Sequence, residues 1–338
     1  MPRPLSDSKG NKFLPVLYSL LLITAMGSST LFSQSTEQEI FRFLRMPTSA
    51  QLAGMGGNHV GLWNPNGSLF ITNPAYLNKD HHGSSSLNFV NYSADARYSS
   101  VHYAHNLSEI GTLGLGFQYA GFGEMTRYDD LGESLGNFEA GDYALHMSVG
   151  RNLYPTLRSA FTVHWLYSSL DTYQAAAFGF SGGQHYTHPE KTFAAGLVLK
   201  HVGMVYNRYN GSDERLPFDL SMGLSFKPEK FPFLLALTLS DLHRWKLPVL
   251  GERNPTQLDY LVRHINFGGE ANLGKHAFLR WGYQPYRHEQ TQTGQAIDLA
   301  GASFGFGIKI KEYQFDISRQ SYSRMGGVVQ VSLKRIPK

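Results

Sequence analysis

The feature that most limits the fold of this chain is a period of two that recurs from Ser84 to near the C-terminus. Leu113, Leu115, Phe117 and Tyr119 alternate with Gly114, Gly116, Gln118 and Ala120. Leu220, Met222, Leu224 and Phe226 alternate with Ser221, Gly223 and Ser225. Phe304, Phe306, Ile308 and Ile310 do the same with Gly305, Gly307 and Lys309, and Val329, Val331 and Leu333 with Gln330, Ser332 and Lys334. Successive side chains of a strand point to opposite faces, so each run has one large apolar face and one small or polar face. A soluble sandwich also alternates, but it buries its apolar face against a second sheet and uses shorter strands. Runs of about ten residues, with apolar groups spread singly, are those of strands that separate lipid from a lumen. The low charged content, 17% of 338 residues, and the 22 Phe and 19 Tyr fit such a wall.

About fourteen such segments can be placed between residues 84 and 335, which predicts an all-β fold, a transmembrane antiparallel barrel. Barrels of this kind have short turns on the periplasmic side and longer loops outside. With the first strand running outward, the short connections 108–110, 152–155, 227–231, 274–275 and 311 fall after even-numbered strands. The long ones, 123–138, 204–216, 243–262 and 287–299, fall after odd ones. The connection at 182–191 is the exception, long where a short turn is expected. Trp165, Tyr167, Trp281, Tyr283, Tyr286 and Tyr313 are placed where interfacial aromatic girdles belong.

Residues 1–12 are polar and basic, 13–26 are apolar, and 27–33 are small and uncharged before Gln34. That is the order of a secretory signal peptide, expected over 1–33. The apolar run is shorter than the ~20 residues of a spanning helix, and an uncleaved anchor is the other reading. The net charge of +4 includes Arg3, Lys9 and Lys12 against Asp7, so no basic surface for nucleic acid is implied. With no cysteine, disulfides and thiolate metal sites are excluded.

Between leader and barrel, residues 34–83 are expected to form a plug, or hatch. Gly54, Met55, Gly56 and Gly57 give a backbone that turns sharply and approaches another surface closely, with Gly56 and Gly57 expected where a side chain has no room. Pro74 pushes Asn73 out of the helical region, so Asn73, Pro74 and Ala75 form a rigid turn. Residues 37–45 could be a short strand or a helix.

Ala50, Gly54, Met55, Gly56, Gly57, Val60, Asn73, Pro74, Ala75 and Leu77 together resemble the hatch of the PorV/PorQ family, FadL-like outer-membrane barrels of the Bacteroidetes type IX secretion system. Length and strand count are nearer the PorQ branch, and Asn64 stands where relatives usually carry Asp. The motif covers about a tenth of the chain. The resemblance implies an outer-membrane protein, in contact with outer-membrane lipid, that anchors a PorZ-like partner at the cell surface. PorU and PorV complete that attachment complex, in which cargo loses a C-terminal signal and is joined to lipopolysaccharide. For the wider FadL-like group it implies instead a channel for hydrophobic small molecules.

No residue pattern points to catalysis, a metal or a cofactor. His102, His146, His164 and His264 lie in predicted strands, with no Gly-x-Ser-x-Gly elbow beside them. His81 and His82 lack the partners of a metal site. Glu124, Asp129, Asp130 and Glu133 read as a solvated outer loop rather than a calcium site. Ser181, Gly182 and Gly183 lack the strand–turn–helix context of a phosphate loop. A non-enzymatic role with binding through outer loops is therefore expected. The rings and charges placed to serve it are Tyr128, Asp129, Tyr206, Tyr209, Arg244, Trp245 and Arg253.

Overall fold

The computed structural model describes residues 38–337 except 93–94, 191, 210–213, 230, 250, 253, 294–297 and 323–325. The expected leader, its cleavage point and Arg253 lie outside the described residues. Fourteen strands close into one barrel. In chain order they are β1 (Ser85–Asn91), β2 (Arg97–Leu107), β3 (Gly111–Tyr128), β4 (Ser134–Tyr154), β5 (Leu157–Leu170), β6 (Tyr173–Thr187) and β7 (Phe193–Asn207). Then come β8 (Asp219–Phe226), β9 (Phe233–Leu239), β10 (Ile265–Leu273), β11 (Ala277–Tyr283), β12 (Ala302–Ile310), β13 (Tyr313–Tyr322) and β14 (Gly326–Arg335). Every neighbour pair is antiparallel, and β14 closes on β1 with Gln330 opposite Val90 and Ser332 opposite Asn88. Closure pairs the backbone of every strand on both sides, which is what a bilayer demands of a spanning sheet.

The alternation sets the two surfaces. Leu115, Phe117, Leu224, Phe304, Phe306 and Leu333 stand outside, 41–54% exposed, whereas Gln118, Ser221, Gly223, Gln330, Ser332 and Lys334 face inward. Tyr119, Tyr143 and Tyr167 are cross-strand partners in register, with ring centroids 5.0 and 6.1 Å apart, and form part of an outer girdle. Just beyond them the β3–β4 register shifts between Gly121 and Glu124, where Gly123 has φ +80°. This bulge marks where the β3–β4 ribbon leaves the wall. At 18 and 21 residues these strands far exceed the ~9–11 needed to cross a bilayer, so the ribbon projects above the membrane.

Several boundaries differ from the sequence expectation. Residues 123–138 are mostly paired strand, leaving 129–133 as the turn. β6 continues through Ser181, Gly182 and Gly183 to Thr187, so the exceptional connection shrinks to 188–192 and becomes a short turn. Both glycines that read as a turn are strand residues, and Gly183 lies beneath the inner segment, where a Cβ would sit 2.2 Å from Asn73 Oδ1. All six connections after even strands then hold two to six residues. The long outer connections 208–218, 240–264 and 284–301 carry α1 (Gln257–Arg263) and α2 (Pro285–Thr291) in the last two. Thr256 and Asp259 form a capping box that starts α1, and Pro285 at the first turn starts α2, ending β11 at Tyr283. Tyr286 therefore sits on a helix, its hydroxyl donating to Pro248 O, and not in a girdle strand.

Residues 41–83 lie inside the wall. Gln38–Glu39 pairs in parallel with Glu214–Arg215, and a 3-10 turn follows at Arg42–Arg45. A short helix spans Ala50–Gly54, and further 3-10 turns lie at Gly67–Leu69, Pro74–Tyr76 and Lys79–His81. Two buried apolar clusters join this segment to inward-facing wall residues: Phe43 and Leu44 with Tyr98 and Leu166, and Leu52, Met55 and Leu62 with Leu234 and Ala236.

Candidate functional site

The inner segment meets the wall by close backbone approach on several sides. A Cβ at Gly61 would lie 2.2 Å from Gly223 O, one at Gly282 2.1 Å from the Met55 carbonyl carbon, and one at Gly54 3.0 Å from Gly305 Cα. Gly56, at φ +97°, would place a Cβ 3.0 Å from Tyr283 N. Gly57 differs from the expectation: open space surrounds it, and its requirement is the backbone angle, φ +155°. Gly61 and its partners Gly196 and Gly223 were not singled out in the sequence, because an inward glycine looks the same whether or not a second backbone lies against it.

Polar side chains fasten what the glycines let approach. Asn73, extended at φ −142°, accepts from Ala75 N through Oδ1 and donates through Nδ2 to Val60 O and Gln184 O, at 2.7 and 3.2 Å. Tyr76 donates to His59 O and accepts from Leu62 N. His59 Nε2 donates to Met55 O at 2.8 Å, which makes Nδ1 the acceptor from Thr238 Oγ1 at 3.1 Å. Burial pulls the His59 pKa down to about 4, so the ring is neutral at physiological pH. Ala50 N donates to Ser332 Oγ. Gln51 bridges Lys334 and Glu270, both held in a buried cluster in which Arg280 binds Glu270 and Asp316 at 2.7 Å each and Lys334 binds Asp316 at 3.2 Å. On the opposite wall Gln118, His146, His164 and Ser181 form a line of hydrogen bonds, with 2.6 Å between the two Nδ1 atoms. His146 Nε2 donates to Gln118, so His164 Nδ1 donates to His146 and Ser181 donates to His164. The line is satisfied with every ring neutral.

At the outer end, between the start of the inner segment and the ends of β7–β13, lies a cavity of about 460 Å³. Glu39 pairs with Arg45 at 3.2 Å and Arg244 at 3.6 Å, and Asp241 with the same arginines at 2.9 and 3.2 Å. Lys200 holds Asp219 at 3.0 Å. Burial would raise the Glu39 pKa, but Arg45 and Arg244 outweigh it and hold the carboxyl below its usual range. Asp219, Asp241 and His243 bring three potential ligand atoms within 4.8 Å of one another, yet both carboxylates are already neutralised by these cations.

The expected loop residues separate into three settings. Tyr128 ends β3 on the projecting ribbon, 62% exposed, and Asp129 closes its turn by accepting from Leu131 N and Glu133 N. Trp245 is exposed above the mouth, stacked on His264 and donating to Gln257. Tyr206 is not in a loop: it lies on the outer wall of β7, stacked on Phe178 and accepting from Trp165 Nε1. Tyr209 is half-buried against Ser168, and Arg244 turns inward to its carboxylates. Leu131, 88% exposed at the ribbon tip, and Leu258 and Leu261 on one face of α1 were missed, since single apolar residues in polar loops carry no periodic signal.

A closed, apolar-belted antiparallel barrel of fourteen strands, with short turns on one side and all three long connections on the other, is an outer-membrane barrel. The toluene transporter TodX of Pseudomonas putida superposes with a TM-score of 0.50 at 12% identity, over 89% of this chain and 98% of that one. A FadL homologue of Pseudomonas aeruginosa gives 0.47 at 10% identity, over 86% and 98%. No protein-family model and no curated protein sequence matches the chain.

Proposed function

We propose that this barrel holds a protein partner at the cell surface through its outer face, while residues 41–83 act as a plug that keeps the lumen shut. The observation that carries the reading is the fit between inner segment and wall: glycine backbones of both touch at Gly61 and Gly223, Gly56 and Gly282, and Gly54 and Gly305. The outer side instead offers a projecting ribbon with Tyr128 and Leu131 exposed, and Trp245, Leu258 and Leu261 around the mouth. Aromatic and apolar anchors on a stiff scaffold are the usual means of protein binding. The resemblance of Gly54–Gly57 and Asn73–Ala75 to the PorV/PorQ hatch supports a place in type IX secretion, with a PorZ-like partner and PorU and PorV nearby. A second reading, a channel for hydrophobic small molecules, is favoured by the fold shared with TodX.

Shortening the ribbon by replacing residues 125–137 with a two-residue turn, together with Trp245→Ala, tests the first reading. Ribbon and tryptophan lie clear of the buried contacts, so the barrel should stay folded and heat-modifiable on gels while the partner appears in the medium. A partner that stays attached, with cargo still displayed, would refute the anchoring role. Loss of hydrophobic-solute uptake in a null strain would then favour the channel.

A further inference from the structure

We propose that the cavity at the outer mouth is a binding site for a compact, hydrophilic oxyanion such as a phosphate monoester. Five cationic side chains line it (Arg42, Arg45, Lys200, Arg244 and Arg287) against three carboxylates (Glu39, Asp219 and Asp241), a surplus of two. The three carboxylates are matched by Arg45, Arg244 and Lys200. That leaves Arg42, on the inner segment, and Arg287, on α2, with no carboxylate partner among the described residues. Arg287 is 8% exposed, and its guanidinium meets neutral acceptors only: Ser303 Oγ at 3.2 Å, Gly56 O at 3.0 Å and the Gln320 amide oxygen at 2.9 Å, with the Tyr322 ring 5.3 Å away. A buried cation without a counter-charge is costly, and burial draws the Arg287 pKa down from its ordinary value. An anion in the cavity would relieve that cost. Arg42 is exposed and has no ion-pair partner among the described residues, and it lines the same cavity from the inner segment.

The lining also weighs against an alkyl chain, although Leu44, Met46 and the Tyr92, Tyr286 and Tyr322 rings contribute apolar surface. Ser221, Ser240, Asn266 and Gln284 present hydrogen-bonding groups, and Lys200 and Asp219 present charges, where a fatty tail would need apolar walls. A cavity of about 460 Å³ suits a small solute or a headgroup. The geometry of arginine favours oxyanions with several oxygens, because its planar fork donates in pairs.

The test is calorimetric titration of the purified full-length barrel in detergent with inorganic phosphate, with glycerol phosphate, and with vesicles of phosphatidic acid against phosphatidylcholine. The expected result is saturable binding of phosphate that weakens at least tenfold between low and high salt. Binding should fall at least tenfold in Arg287→Gln and severalfold in Arg42→Gln. Among the described residues the Arg42 side chain makes no hydrogen bond or ion pair, so its variant should keep the native fold, and gel heat-modifiability checks both. Glycerol phosphate competing while phosphatidic acid does not identifies a free solute; the converse identifies a lipid headgroup. No saturable heat with any of the three probes, or equal binding by wild type and both variants, overturns the proposal.

Discussion

Gly61 shows how much a single missing atom decides. Its φ is not in the left-handed region, so alanine there meets no backbone strain and the cost is packing alone. A Cβ 2.2 Å from Gly223 O must push one backbone off the other, and overpacking of this kind costs ~1–3 kcal/mol. Gly61→Ala should therefore lower the temperature at which the barrel loses its heat-resistant gel mobility. Ala at Gly223 should do the same, since it enters the same contact. Equal mobility of either variant and wild type would contradict the fit. His59 gives a second prediction. Its folded pKa of about 4 lies below the ordinary 6.5, so the unfolded or undocked ring takes up a proton first. The stability it supports is complete above pH 6.5 and is lost as pH falls toward 4, by an amount on the order of 3 kcal/mol. Hydrogen exchange over 48–77 should lose protection across that window, and His59→Gln should flatten the dependence. Protection unchanged down to pH 4 would speak against a neutral, docked His59.

Among the elements, the strands were legible and the segment they enclose was only partly so. A period of two survives wherever one face meets lipid, which is why β2 and β8 end at Leu107 and Phe226, where the expected connections 108–110 and 227–231 begin. Above the membrane both faces are wet. Glu124, Arg127 and Asp129 break the alternation, so the outer part of β3 and β4 read as a loop although it pairs through Tyr128 and Ser134. Gly183 misled in the opposite sense, because close approach and turning call for the same residue. The mouth cavity was not legible at all, since its charges come from positions as far apart as Glu39 and Arg287. The ionic cluster beneath the Ala50–Gly54 helix belongs to this same hidden level. Arg280 is fully buried and holds Glu270 and Asp316 together. Arg280→Met should cost ~3–5 kcal/mol by leaving buried carboxylates short of a partner. Denaturant unfolding of the refolded barrel would measure it, and a loss below about 1 kcal/mol would mean that water already reaches the cluster.

At the scale of the whole molecule, the proposed role divides between two surfaces: a lumen occupied by residues 41–83 and an outer face with a projecting ribbon, exposed rings and a cationic mouth. The closed lumen is the more decisive of the two, because a barrel that conducts would need no surface partner to explain it. Single-channel recording from the purified full-length protein in planar bilayers, beside a variant lacking residues 48–77, measures this directly. The wild type should insert without conductance steps, and the shortened variant should give steps of an open pore, which also verifies insertion. Regular open-pore steps from the wild-type protein would contradict the account.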